Sequence, residues 1–343
     1  MSMKKYLIFV LTVAIAAVSC TKSFEMEPAS GTSIGFGTWA NVLTKARTAG
    51  SSTFAGGDSF NVYGFKTISA ANTTVFDGDV VSYDGTDWTY SGLRFWDPNA
   101  SSYTFYATSP AGLIASADAQ TGGFTSNSVT FAGNDSDVLV ADKNVVANAD
   151  FNKPVNLQFN HIASLVDFKV KKHAELADAT VNITSFQISD IDNVGTFSVA
   201  NTYATENHPD VTWNATARGA YDNTSGVTKV AALPENISTD GSNFLINHLV
   251  AMPQTFRTDA NKQTVTIEYT ITSGGDTIAN SATFDLKTFD NVDDTDNKDT
   301  LIGGWEGGKH YTFYITINAN AIVFTASITD WVTPNNGYHY LLQ

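Results

Sequence analysis

Five stretches of this chain alternate apolar and polar residues with a period of two, and this pattern limits the fold more than any other feature. In "VNLQFNH", Val155, Leu157 and Phe159 alternate with Asn156, Gln158 and Asn160. In "VDFKVKK", Val166, Phe168 and Val170 alternate with Asp167, Lys169 and Lys171. "VTIEYTI" repeats the pattern at Val265, Ile267, Tyr269 and Ile271, and "YTFYITI" at Tyr311, Phe313, Ile315 and Ile317. "IVFTASITDW" continues it at Ile322, Phe324, Ala326 and Ile328. Successive side chains of a strand point to opposite faces, so each stretch predicts a strand with one apolar face turned inward. Between the strands lie turn-rich segments such as "FDGD", "YDGTDW", "DPNAS", "TSGGD" and "LIGGWEGG". Only "KKHAELADA" reads as helical, and it is short. The expected class is all-β, built from antiparallel sandwiches.

The N-terminus follows different rules. Lys4 and Lys5 precede the apolar run "YLIFVLTVAIAAV", which is too short to span a bilayer core of roughly 20 apolar residues and has the layout of a secretory signal. The run ends at "AVSC", which carries Cys20, the single cysteine of the chain. This ending resembles the lipobox of bacterial lipoproteins, with Ala17 where that motif usually has Leu. The resemblance implies a signal peptide over residues 1–19, cleavage before Cys20, and acylation of its thiol and new amino group. An ordinary signal peptide with an incidental cysteine is the alternative. The implied location is the cell surface, on a precursor held in the outer membrane by its lipid anchor.

Beyond Cys20 no disulfide can form within the chain, so its core alone must hold it, in a compartment that permits disulfides. Its length suggests two domains. Composition turns to Asn, Asp and Ala around "ADKNVVANADFNKPVNL", which places the boundary near Pro154. The net charge of −15, with only 15% charged residues, argues against a nucleic-acid partner and against a polybasic membrane patch. The acidic run from Thr288 to Thr300 reads as a solvated loop.

Within "SDVLVADKNVVANADFNKPVNLQFNHIASLVDFKVK", Asp137, Val138, Leu139, Phe159, His161 and Ala163 resemble the central signature of the fimbrillin-like proteins of Bacteroidales, the subunits of type V pili. "SSYTFYATSP", "VAMPQTF", "GGWEGGKHYTFYITI" and "AIVFTASITDW" resemble further segments of that family in the same order. The resemblance implies two tandem transthyretin-like antiparallel β-sandwich domains. It also implies a precursor cut after an arginine by an extracellular trypsin-like protease. That cut frees the first strand, and a strand from a neighbouring pilin subunit takes its place by edge addition.

Under that resemblance, residues 20–47 form a pro-segment whose removable strand presents Ile34, Phe36, Ala40 and Val42. Arg47 is the expected cleavage site, ahead of Thr48 in the exposed-type sequence "TAGSS". Residues 48–154 and 155–343 are the two sandwiches. "PNNGYHYLLQ" offers Tyr338, Tyr340 and Leu342 at a period of two, as a donor strand would. The alternative is that both segments pair within their own sheets and nothing is exchanged. A second function of the same fold is a non-polymerising surface lipoprotein that binds a glycan or host protein through its loops.

Enzymatic motifs are weak. "GGDSF" (Gly56 to Phe60) resembles the nucleophile block of GDSL-type esterases, yet none of the six histidines has an Asp three residues before it. The segment reads better as a turn entering the strand "FNVYGF". There is no HExxH, Walker-type loop or zinc spacing, so no metal, cofactor or catalytic residue is assigned. His161 reads as a hydrogen-bonded structural residue. Trp213, Trp305 and Trp331 are expected to pack at strand ends, whereas Trp88 and Trp96, flanked by turns, are the candidates for exposed contact. The acidic loop at Asp293, Asp294 and Asp296 lacks the sixth-position Gly of an EF-hand. "DTI" at Asp276 and "DTL" at Asp299 resemble the three-residue O-glycosylation sequon of the same bacterial phylum.

Overall fold

The computed structural model describes residues 32–37, 54–118, 123–132, 137–200, 209–222, 232–291, 301–319 and 322–331. Cys20, Ala40, Val42, Arg47, Thr48, Asp293, Asp294, Asp296, Asp299, Tyr338, Tyr340 and Leu342 lie outside them.

Strands β2 (Ser59–Ile68), β3 (Ala71–Tyr83), β4 (Trp88–Tyr90), β5 (Ser102–Ser109), β9 (Leu139–Ala141), β10 (Asn144–Ala147) and β12 (Phe159–His161) form the N-terminal sheet. Its order is β12-β9-β5-β2-β3-β4, with β10 also paired to β5. A second sheet contains β13 (Ser164–Lys172), β16 (Asn243–Ala251), β20 (Asp290–Asn291), β22 (Lys309–Ile317) and β23 (Ile322–Asp330). A third contains β6 (Ile114–Asp118), β7 (Gly123–Ser126), β8 (Val129–Thr130), β14 (Thr180–Val199), β15 (Val211–Asp222), β18 (Thr264–Ser273) and β19 (Asp276–Asp285). Two short pairs complete the chain: β1 (Phe36–Gly37) with β11 (Val155–Asn156), and β17 (Gln254–Thr255) with β21 (Gly304–Trp305).

The second and third sheets close a sandwich over one core. Val166, Phe168 and Val170 of β13 and Tyr311, Phe313, Ile315 and Ile317 of β22 meet Val181, Ile183, Phe186 and Ile188 of β14 and Val265, Ile267 and Tyr269 of β18. These are the inward positions of the period-two alternation, and Phe168 stacks on Phe313 with centroids 4.6 Å apart.

The N-terminal sheet instead buries both faces. On β2, Phe60 and Val62 enter the domain's own core, while Tyr63 and Phe65 enter a second cluster shared with Leu165, Phe197, Val250 and Trp331. Accordingly β2, β5 and β9 lack the alternation of half-solvated strands and read as nearly continuous apolar runs. Hydrogen-bond ladders cross Pro154 in both directions: β7 and β8 pair with β14, and β12 pairs with β9.

Several elements differ from expectation. The pairs β13–β22, β20–β23 and β1–β11 are parallel. Parallel neighbours cannot be joined by a tight turn, and the chain between β13 and β22 is spent on building the facing sheet. "KKHAELADA" yields only a single 3-10 turn, Ala174–Leu176. "GGDSF", by contrast, is the expected turn entering β2, with Gly57 at φ +97° and the Asp58 carboxylate accepting the Ala55 N–H at 2.8 Å. Trp96 is not exposed: it is 3% accessible and stacks on Phe151 at 4.9 Å. Trp88 is half-buried between Phe54, Phe60 and Tyr83. Turn residues flank both rings, but the turns fold back over the sheet and carry the indoles inward.

Two residues of the family-like signature, Asp137 and His161, meet in one buried knot. Asp137 and His161 pair through the carboxylate Oδ2 and Nδ1, with side chains 0% and 2% exposed. The Asp137 Oδ1 accepts the Val138 N–H at 2.7 Å. The other ligament is Trp331, whose ring stacks on His161 with centroids 3.9 Å apart and whose backbone N–H donates to the Gly308 carbonyl at 2.7 Å. Removing the imidazole takes away the partner of the Asp137 Oδ2 and opens a cavity against the Trp331 ring. His161→Ala is therefore expected to lower the unfolding free energy by about 3–5 kcal/mol in urea titrations. Lys153→Ala, at an exposed ion pair, should stay within about 1 kcal/mol of the parent.

Candidate functional site

Thr32 to Gly37 thread between two segments that would otherwise show unpaired backbone. On one side the segment runs antiparallel to residues 94–96: the Ile34 N–H donates to the Arg94 carbonyl at 2.7 Å, and the Trp96 N–H donates to the Thr32 carbonyl at 3.2 Å. On the other side β1 runs parallel to β11, with Phe36 opposite Val155, and the Val155 N–H donates to the Gly35 carbonyl at 2.8 Å. The Tyr90 hydroxyl donates to the Ile34 carbonyl at 2.5 Å. Burial raises the Tyr90 phenol above its ordinary value, so it stays a donor at neutral pH.

Ile34 and Phe36 point the same way into the core, 1% and 7% exposed. Phe36 is ringed by Phe60, Phe76, Tyr90 and Phe105 at centroid distances of 5.7, 5.5, 5.8 and 6.1 Å, all edge-on. Gly64 makes room for this nest, because a Cβ there would lie 2.9 Å from the Phe105 ring. Burying Ile34 and Phe36 stabilises the fold by about 1.5–3 kcal/mol each.

The wall facing the segment is tied down by charge. Arg94 donates through Nη2 to Asp79 Oδ1 at 2.8 Å and through Nε to the Val75 carbonyl at 3.1 Å, and it sits 5.5 Å above the Phe76 ring. Lys66 Nζ meets Asp97 Oδ2 at 2.6 Å. That bond, with the Asn99 N–H, holds the Asp97 carboxyl below the usual carboxylate range.

Of the four residues expected on the removable strand, the structure thus brings Ile34 and Phe36 together in one core. Tyr90, Arg94 and Trp96, which build the wall, carry no periodic signal; "YSGLRFWDP" reads only as a turn. Phe54 packs into the same core against Trp88 and Phe159 at 5.1 and 5.5 Å, and it follows Arg47 in the chain.

A second concavity, of about 620 Å³, lies between β12, β15, β22 and β23 and is lined by Trp213, Trp331, Lys309 and Asp330 among others. Trp213 donates its indole N–H to the Ile162 carbonyl at 3.0 Å, and the Trp331 indole N–H is buried without a partner. Among the described residues no group of three or more His, Cys, Asp or Glu side chains is arranged to hold a metal. Among them too, no helix is long and apolar enough to cross a membrane, which says nothing of strands.

The fimbrillin-like family profile matches residues 44–331. A curated relative, the Fimbrium subunit Fim1C of Phocaeicola vulgatus, is 28% identical over 118 residues, which is 32% of this chain and 31% of that protein. The matched stretch thus spans under a third of the relative's length. Among solved structures, a fimbrial protein from Bacteroides vulgatus superposes with a TM-score of 0.58 at 17% identity, covering 88% of this chain and 99% of the other. That likeness shows a shared fold, and the profile match over most of the chain places this protein in the fimbrillin-like family.

Proposed function

We propose that this protein is a structural and adhesive subunit of a surface fimbrium, made as a lipoprotein precursor and not an enzyme. Its lipid anchor is Cys20, and residues 1–19 are the signal peptide. A trypsin-like protease cuts after Arg47, ahead of Thr48, and frees the pro-segment that carries Ile34, Phe36, Ala40 and Val42. A strand from a neighbouring subunit then fills the vacated groove, and residues 338–342, with Tyr338, Tyr340 and Leu342, are that strand. The mature subunit begins at Thr48 and comprises the N-terminal sheet and the sandwich closed by the second and third sheets, with strands from both sides of Pro154 in each.

One observation carries this reading. Ile34 and Phe36 are buried in the core and their segment is hydrogen-bonded on both sides, yet it belongs to the stretch that precedes Arg47. Cutting there removes two core side chains and leaves the Arg94 carbonyl and the Trp96 and Val155 N–H groups without partners, a template for another strand. Until the cut, the resident segment blocks premature assembly.

A second role, binding a glycan or host protein, is favoured by the concavity that the half-buried Trp213 lines, because an aromatic face suits a sugar ring. On a glycan array, Trp213→Ala should lose binding that Lys153→Ala, at an exposed site on another surface, retains.

Two measurements test the assembly route. Mass spectrometry of protein sheared from the native surface should find Thr48 at the N-terminus of high-molecular-weight material, whereas Arg47→Ala should accumulate as a precursor beginning at Cys20. Normal polymers of Arg47→Ala would refute the route. Phe36→Ala should destabilise the uncut precursor by about 3–5 kcal/mol and let it exchange strands without cleavage, seen as slow oligomer growth by light scattering.

A further inference from the structure

The concavity beside Trp213 lies where the three large sheets meet. Ile162 follows β12 of the N-terminal sheet, Val211 and Trp213 stand on β15 of the third, and Lys309 and Asp330 stand on β22 and β23 of the second. Its volume of about 620 Å³ falls within the range of about 300–1,000 Å³ of small-ligand sites, which form preferentially at such joints.

Trp213 is held there as a platform. Its indole N–H is spent on the Ile162 carbonyl at 3.0 Å, and its ring packs against Phe131 and Phe197 at centroid distances of 5.5 and 5.2 Å. Fixed on those sides and half-buried, the ring offers the cavity a carbon surface and not a donor. Val211 and Pro253 extend that surface. Trp331 is buried and stacked on His161, so its face is already taken.

The polar chemistry of the cavity is concentrated in one pair. Lys309 and Asp330 stand directly opposite in the β22–β23 register, with Nζ 2.6 Å from Oδ1. Their side chains are 38% and 70% exposed, and each keeps hydrogen-bonding capacity beyond their mutual bond. Adjacent hydroxyls of a pyranose match this pair. One accepts from the ammonium and its neighbour donates to the carboxylate, while the C–H face of the sugar lies on the indole. A carboxylate or sulfate on the sugar would instead meet an ammonium already neutralised. It would also be repelled by the more exposed Asp330 and by a chain of net charge −15.

Resting on the glycan-binding role above, we infer that this cavity takes a neutral pyranose with adjacent hydroxyls, stacked on Trp213 and bridged by Lys309 and Asp330, and that it rejects acidic sugars. Recognition then sits on strands at the joint of the sheets and not on loops.

The test is an array of neutral oligosaccharides ending in galactose, glucose or mannose, each printed beside a sulfated or uronic-acid counterpart, and probed with protein sheared from the native surface. Neutral members are expected to bind at least about tenfold more tightly than their acidic counterparts. Trp213→Ala should weaken that binding at least about tenfold, as truncation of a buried aromatic anchor does. Asp330→Asn separates recognition from folding, because an exposed ion pair contributes little stability. It leaves the Lys309 charge uncompensated, so it should weaken the neutral glycans and strengthen the acidic ones, narrowing their ratio at least about tenfold. Acidic members that bind the parent as well as neutral ones do, or an Asp330→Asn protein with unchanged selectivity, overturn the inference while leaving the glycan role in place. Undiminished binding by Trp213→Ala moves the sugar to another surface and overturns it equally. If no printed glycan binds, the glycan role fails, and the inference fails with it.

Discussion

The N-terminal sheet of this chain must find cover for two apolar faces at once, and most of the architecture follows from that constraint. One face, through Tyr63, Phe65, Tyr106 and Val140, is covered by side chains of the second sandwich. The other, through Phe60, Val62, Phe105 and Leu139, has no complete sheet of its own to lie against. It is closed by a collection of parts: the turns around Trp96, the 3-10 turn leading to Phe151, the short strand β11, and Ile34 and Phe36 from the extreme of the described chain. A face closed by parts can lose one of them locally. A face closed by a whole sheet cannot.

The knot of Asp137, His161 and Trp331 gives two of the signature residues a structural role. Asp137 precedes β9, His161 ends β12, and Trp331 follows β23, so three distant segments meet at one imidazole. Gly307 and Gly308 belong to the same joint. A Cβ on Gly307 would stand 2.7 Å from the Ile162 carbonyl, and Gly308 adopts φ +72° while its N–H donates to the Ala163 carbonyl at 2.8 Å. Small residues and the buried Asp137–His161 hydrogen bond hold the two halves in contact where large side chains would wedge them apart.

The half-buried strands were legible in the sequence because solvent on one face writes a period of two into the chain. β13, β18 and β22 follow it, and their apolar positions are the ones found in the core. Ile34 and Phe36 were legible for the same reason. The wall around them was not, because Tyr90, Arg94 and Trp96 act from a turn, where local composition records only flexibility of backbone choice. The misplacement of Trp96 has the same origin: proximity to Pro, Asn and Asp says that a chain turns, not which side of the turn faces the core. Parallel pairing of β13 with β22 was equally hidden, since alternation is blind to strand direction.

β14 is twenty residues long and is paired along one half to β18 and along the other to β15, β7 and β8. Strands from both sides of Pro154 are therefore riveted to one continuous backbone. Under tension, such a joint is loaded in shear, with many ladder hydrogen bonds resisting together, instead of being peeled open one bond at a time. A filament made of these units would yield at the junctions between subunits before it yielded at the joint inside one.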